Sequence, residues 1–419
     1  MKRRPAWKLL CGIAAALIVV IAAFFSWVQA TASRRWTALS EKVPQLILEA
    51  RGREARRPVL RGEAVPGNAW DDYNQALAAI KGAKSSDLGE FVSRGLKADR
   101  AAVEAILKLH EGTLALLASG ARKAEGTYRV QFEKGFAADL PGLLAAQNLV
   151  NLMACKSRFL VEAGKTREAA DLLLDGLRFG ADMGKNTLLI AEMISIAMLS
   201  TMMDELRDLA RDPEMKDVDW PGVARALELL DASWPDHAES MLNEGVSAAA
   251  GLVKEEMVGL GFGEGAMGAL SSWRYGFSLR LMIADAVDTH LDCMRRHAAA
   301  CRSWADSERT GKELDEAVEA SSNPIVKITI PGLASSHRAG VERRAQLSLL
   351  RMAVALRAGQ PLPPLLDPFD GAKLRSDGTK VWSIGSDGVD GGGVGTWRPQ
   401  RTGDIVLQLK KDELELKKK

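Results

Sequence analysis

The stretch "LLAAQNLVNLMACKSRFLVEAGKTREAADLLLDGLRFGADMG", residues 143–184, decides the architecture. An apolar helix runs to a stop at Gly164-Lys165. A second helix starts near Thr166, where Glu168 and Ala169 lead into Leu172, Leu173, Leu177 and Phe179. A connection this short turns the chain straight back, which makes an antiparallel helical hairpin.

The rest of the chain reads in the same way. Of its 419 residues, 47% are hydrophobic and only 5% aromatic, a composition rich in Ala and Leu that favours helices over sheet. With 26% charged residues it has enough apolar surface to bury a core rather than stay disordered. The formal net charge of +2 leaves no basic excess of the kind nucleic-acid binding needs.

Helices are expected at 68–83, where Asn68 suits an N-cap and Trp70, Tyr73, Leu77 and Ile80 recur at helical spacing. Another is expected over 98–120, with Ala102, Ile106, Leu109 and Leu116 near one stripe and Gly120 as its stop. More follow at 186–211, 220–232, 277–305 and 338–358. Seven glycines over 243–272 predict a broken helix, since each costs up to ~1 kcal/mol in a helix interior.

The N-terminus is basic over 1–8, "MKRRPAWK", and then uncharged over 9–28, "LLCGIAAALIVVIAAFFSWV". Twenty such residues at 1.5 Å each match the ~30 Å hydrocarbon core of a bilayer. Two readings stay open: an uncleaved anchor, or a signal peptide cut after Ala30-Thr31-Ala32. The span exceeds an ordinary signal core, which favours the anchor. Lys2, Arg3, Arg4 and Lys8 favour a cytoplasmic N-terminus with the body beyond the inner membrane, in the periplasm of a bacterium with two membranes. The chain thus divides into a basic tail (1–8), a membrane span (9–28), a linker (29–67), a helical body (68–335), a C-terminal module (336–410) and a charged end (411–419).

In "DTHLDCMRRHAAACRSW", His290, Cys293, His297 and Cys301 follow one another at spacings of 3, 4 and 4. On a helix they lie within about 80° of one another. Imidazole and thiolate suit zinc or copper. The same stripe runs back through Leu279, Ile283 and Ala286 and on to Trp304, which is the pattern of a core face. A row ~16 Å long cannot surround one ion, so a metal would take at most two of the four, with other ligands from elsewhere. The remaining histidines are His110, His237 and His337. His237, after Asp236, reads as an exposed helix start. No phosphate loop, H-E-x-x-H or G-x-S-x-G is present, so no catalytic constellation is read and a non-enzyme is expected.

Two resemblances attach to these motifs. The "G-x-x-x-E-A" form at Gly164–Ala169, followed by spaced leucines, resembles tetratricopeptide-type hairpins in one copy, which implies a stack of helical hairpins that binds other proteins. The C-terminal order of helix, "DPF-x-G", strand, "S-x-G-x-D-G", glycines and "D-I" resembles the C-terminal region of type II secretion major pseudopilins over about 340–409. The matching residues are Asp367, Pro368, Phe369, Gly371, Ser383, Gly385, Asp387, Gly388, Gly391, Gly392, Asp404 and Ile405. That family holds calcium in this loop. The resemblance therefore implies carboxylates from Asp387 and Asp404 and the backbone carbonyl of Ile384. Asp390 is added on chemical grounds, since Ca²⁺ takes six to eight oxygens.

The reading is a mainly α chain with a transmembrane helix, a helical-hairpin body and a small α+β tail. The functional expectation is an envelope scaffold that binds other proteins. The alternatives are a metal-dependent enzyme using the His290–Cys301 face and a component of a type II secretion-like system.

Overall fold

A computed structural model describes residues 6–51, 57–80, 85–94, 99–254, 266–398 and 402–410. The described chain is mainly helical, with a small sheet near its C-terminal end. The helices are α1 (Ala6–Arg51), α2 (Ala69–Ile80), α3 (Ser85–Arg94), α4 (Arg100–Leu109), α5 (Glu111–Ala121), α6 (Leu143–Glu162) and α7 (Thr166–Met183). They continue as α8 (Leu189–Arg211), α9 (Trp220–Ala232), α10 (His237–Val253), α11 (Ala266–Ala300), α12 (Trp304–Ala320), α13 (Pro324–Thr329) and α14 (Leu333–Arg357).

The α6–α7 hairpin forms where expected, and its turn shows why. The N–H of Lys165 donates to the Leu160 carbonyl (2.8 Å) and that of Gly164 to Val161 (3.0 Å). This bond pair closes a helix through a left-handed residue, and Gly164 adopts φ +74°. Helix α8 then packs on α7 across Gly176 and Gly180. A methyl group at Gly176 would lie 2.3 Å from the Met202 sulfur, so a larger residue there would displace the Met202 side chain.

Helix α1 corrects the expected linker over 29–67. Its apolar first part is long enough to cross a membrane or to serve as a signal sequence, and is exposed. The helix then continues without a break to Arg51. Ala32, Leu39, Val43, Ile47 and Ala50 recur on one face and are buried against α10 and α11. Arg35 pairs with Asp288 on α11 at 2.7 Å. Polar residues between these positions occupy the other face, so the segment reads as a linker by composition while folding by periodicity. Further on, Arg57 is fully buried against Asp182 (2.9 Å), and Arg61 makes a two-pronged pair with Asp175. Both acids stand on α7.

Two other boundaries move. The expected helix over 98–120 breaks at His110, whose backbone (φ −106°, ψ 22°) leaves the helical region. The buried stripe is Val103, Leu107, Leu114 and Leu117, one residue out of phase with the expected one, and Leu109 is exposed. The helix expected over 277–305 ends at Ala300, and Ser303 caps α12 through its hydroxyl. The glycine-rich stretch 243–272 is divided between α10 and α11, with 255–265 outside the described residues.

Strands β1 (Val65–Asn68) and β2 (Lys123–Glu125) form a small parallel pair. The tail forms a four-stranded sheet from β3 (Arg375–Ser376), β4 (Lys380–Ser383), β5 (Gly395–Thr396) and β6 (Asp404–Gln408), in the order β3-β4-β6-β5. Strands β4 and β6 are antiparallel with Trp382 opposite Val406, and β5 runs parallel to β6. Val381, Ile405 and Leu407 turn inward and join the core of α2–α9 and α14. A second core gathers the last part of α1 with α10–α13. The candidate site lies where the two cores meet.

Candidate metal centre

Five helix ends converge at this seam. Helix α8 brings Glu192 in its first turn, α10 begins with His237, α11 ends just after His297, α12 begins with Trp304, and α14 carries Ser336 and His337 near its start. Cys301 sits in the turn between α11 and α12. Its N–H still donates to the His297 carbonyl (3.1 Å), which keeps the two residues together.

His237 corrects the expected exposed helix start. Asp236 does cap α10, accepting from the Ala238 N–H, but the His237 ring is buried. Its Nδ1 lies 3.0 Å from both oxygens of Glu192, which is itself buried. The partner stands 45 residues upstream, in an apolar run, where no local pattern announces it. A ring that gives its Nδ1–H to a carboxylate presents Nε2 as a lone pair, the arrangement by which a metal-binding histidine is oriented. Nε2 faces the Ser336 hydroxyl at 3.5 Å.

His297 is completely buried, and neither ring nitrogen has a hydrogen-bond partner. An unpaired buried polar group costs about 1–3 kcal/mol. The potential ligand atoms of His237, His297 and Cys301 all lie within 4.8 Å of one another. Among the described residues they are the one such group of His, Cys, Asp or Glu. Ligands around a tetrahedral ion sit about 3.3–3.8 Å apart, given bonds of about 2.0–2.3 Å, so closure needs side-chain movements of about an ångström.

His337 stacks on His237 (ring centroids 5.0 Å apart, 27°) and holds Ser307 by a 2.6 Å bond at Nδ1. Burial lowers the His297 pKa to about 4, and His237 adds to the effect. Burial, with His237 and His297, lowers that of His337 to about 3. Burial, then Asp236 and Glu192, pushes the Cys301 thiol up to about 12. Without a metal, His297 and His337 are therefore neutral at pH 7, and Cys301 is a thiol.

The structure thus divides the four-residue row. His297 and Cys301 belong to the cluster. His290 and Cys293 do not join it; Cys293 packs in the second core, and both nitrogens of the fully buried His290 lack partners. The third member of the cluster, His237, comes from another helix, α10.

A cleft of about 970 Å³ opens onto the cluster, with His237, Cys301 and His337 on its wall. Leu365, Leu366, Asp367 and Pro368 of the tail form part of its lining, and Phe369 stands edge-on to Trp304 at 5.3 Å. A second cleft, of about 770 Å³, lies beside Asn68, Tyr128 and the Arg51–Glu133 ion pair. Neither a histidine nor a cysteine lines it.

The tail loop is built differently. All six oxygens of Asp387, Asp390 and Asp404 take an N–H donor. Asp387 accepts from Val389 and Gly403. Asp390 accepts from Trp382, Gly392 and Arg375, and the buried Asp404 from Gly391 and Gly393. The Lys380 ammonium takes the carbonyls of Gly392 (3.1 Å) and Gly393 (2.7 Å). The N–H of Ile384 donates to Asp367 (2.9 Å). Calcium needs a cage of oxygens turned toward one point. Asp387, Asp390 and Asp404 do not gather into one such group, because each is held by the loop's own N–H groups or by Arg375.

Comparison with family models, with curated proteins and with solved structures finds no match to this chain.

Proposed function

We propose that the chain is a single-pass membrane protein whose extracytoplasmic helical body holds a zinc-class ion at His237, His297 and Cys301. The uncharged N-terminal helix supports the anchor, and the basic residues before it favour a cytoplasmic N-terminus. One observation carries the metal reading: a buried imidazole with two unpartnered nitrogens, facing a second histidine oriented by a carboxylate and a thiol. Core packing alone gives no reason to bury these groups together, whereas a cation would engage one nitrogen of His297, the free nitrogen of His237 and the thiol. The metal-binding alternative is favoured over the scaffold reading for that reason.

When bound, the ion would act as a Lewis acid. Glu192 orients His237. His297 supplies a neutral nitrogen from the interior. Cys301 would supply sulfur from the cleft side, as the thiolate.

The test is metal content and cobalt substitution of the full-length protein in detergent. The expected result is one cobalt per chain with thiolate-to-cobalt charge-transfer absorption. Cys301→Ser removes that absorption, and His297→Ala lowers metal affinity at least tenfold. If the protein carries no stoichiometric metal and cobalt gives no thiolate band, the reading fails.

A further inference from the structure

We infer that this metal centre is open on its cleft side and takes an oxyanion ligand, a phosphate group, steered by Arg295 and Arg302; this rests on the metal reading above. Three protein ligands are present where zinc takes four, and three-ligand sites keep the fourth position for water or substrate. The direction of that position follows from burial. His297 is fully enclosed and lies behind, whereas His237 and Cys301 line the cleft. An ion held between the three therefore has its fourth side toward a space of about 970 Å³.

The charges around the space select the ligand. Arg295 and Arg302 line the cleft and are exposed, and neither has an acidic partner among the described residues. Arg344 also lines it but is paired with Asp231. The four acids that line the cleft are engaged: Asp231 holds Arg351, Asp236 caps α10, Glu192 holds His237, and Asp367 holds Arg375. Two unpaired guanidiniums beside a divalent ion suit a group with several negative oxygens, which Arg binds by its forked N–H donors.

The experiment uses cobalt-substituted full-length protein, titrated with inorganic phosphate and, separately, with acetate. The expected result is a saturable change in the visible cobalt bands at millimolar phosphate, and a weaker response to acetate. Arg295→Ala/Arg302→Ala should raise the phosphate concentration needed at least tenfold with cobalt stoichiometry unchanged. A cobalt spectrum with the thiolate band intact that ignores phosphate would show a closed site. An equal phosphate response in the double variant would remove the arginines' role. Either result overturns this inference while leaving the metal centre standing. Absence of the thiolate band in the cobalt-loaded protein with its native sequence overturns both.

Discussion

His290 is buried but stands outside the cluster of His237, His297 and Cys301. It shares a helix face with His297, but no cysteine or second histidine meets it, and burial alone lowers its pKa to about 4. The unfolded chain keeps a value near 6.5. Between those values the unfolded state binds more protons, so stability is full above pH 6.5 and is lost as pH falls toward 4. His290→Leu should remove this contribution, up to about 3 kcal/mol of the acid loss. At pH 7 the variant should be equal to or about 1–2 kcal/mol more stable, because two unpaired nitrogens leave the core. Urea midpoints at pH 7 and pH 5 check both statements; a variant clearly weaker at pH 7 would mean that the ring has a partner. The row of four was legible in the sequence because it repeats at helical spacing. Its division was not, because whether a buried histidine binds depends on what the facing helices bring. Glu192 and His237 lie 45 residues apart and meet only through the packing of α8 and α10.

Among the elements, α7 shows how a charged segment becomes structural. Asp182 is fully buried between Arg57 and Arg178, each 2.9 Å away, and also accepts from the Tyr73 hydroxyl (3.1 Å). Asp182→Asn would leave two guanidiniums buried without a counter-ion and should cost about 3–5 kcal/mol, read as a lower thermal midpoint. A loss below about 1 kcal/mol would show that water reaches the cluster. The tail sheet carries another prediction. Since Lys380 and Arg375 already meet the loop's carbonyls and Asp390, a calcium-selective chelator should leave the melting of the sheet unchanged. Lys380→Met should lower the midpoint, and added calcium should not restore it; a chelator-induced drop would contradict this. The hairpin turn at Gly164 was legible, because the position of a glycine after an apolar helix is a local signal. The continuation of α1 past the apolar span was not: residues 29–51 mix charge with a sparse apolar stripe that only α10 and α11 complete. The break at His110 was hidden as well, because the apolar pattern crosses it without a gap.

At the scale of the whole molecule, two helical cores meet at one seam, and the C-terminal module closes over it. Trp397 donates to Asp204 on α8 (2.5 Å), Arg398 pairs with the same acid, and Gln346 on α14 donates to the Trp397 carbonyl. These bonds hold the tail where its Leu365–Pro368 segment can wall the cleft. The mainly helical architecture and the long apolar N-terminal helix were open to reading from composition and periodicity. The site was not, because its residues come from five helix ends spread over almost 150 positions. The central claim is a His₂Cys ion in that seam. Zinc-edge X-ray absorption on full-length protein solubilised from membranes, with one equivalent of zinc, tests it most directly. The account predicts one sulfur at about 2.3 Å and two imidazole nitrogens at about 2.0–2.1 Å, with the sulfur lost in Cys301→Ser; a first shell of water oxygens without sulfur would contradict it.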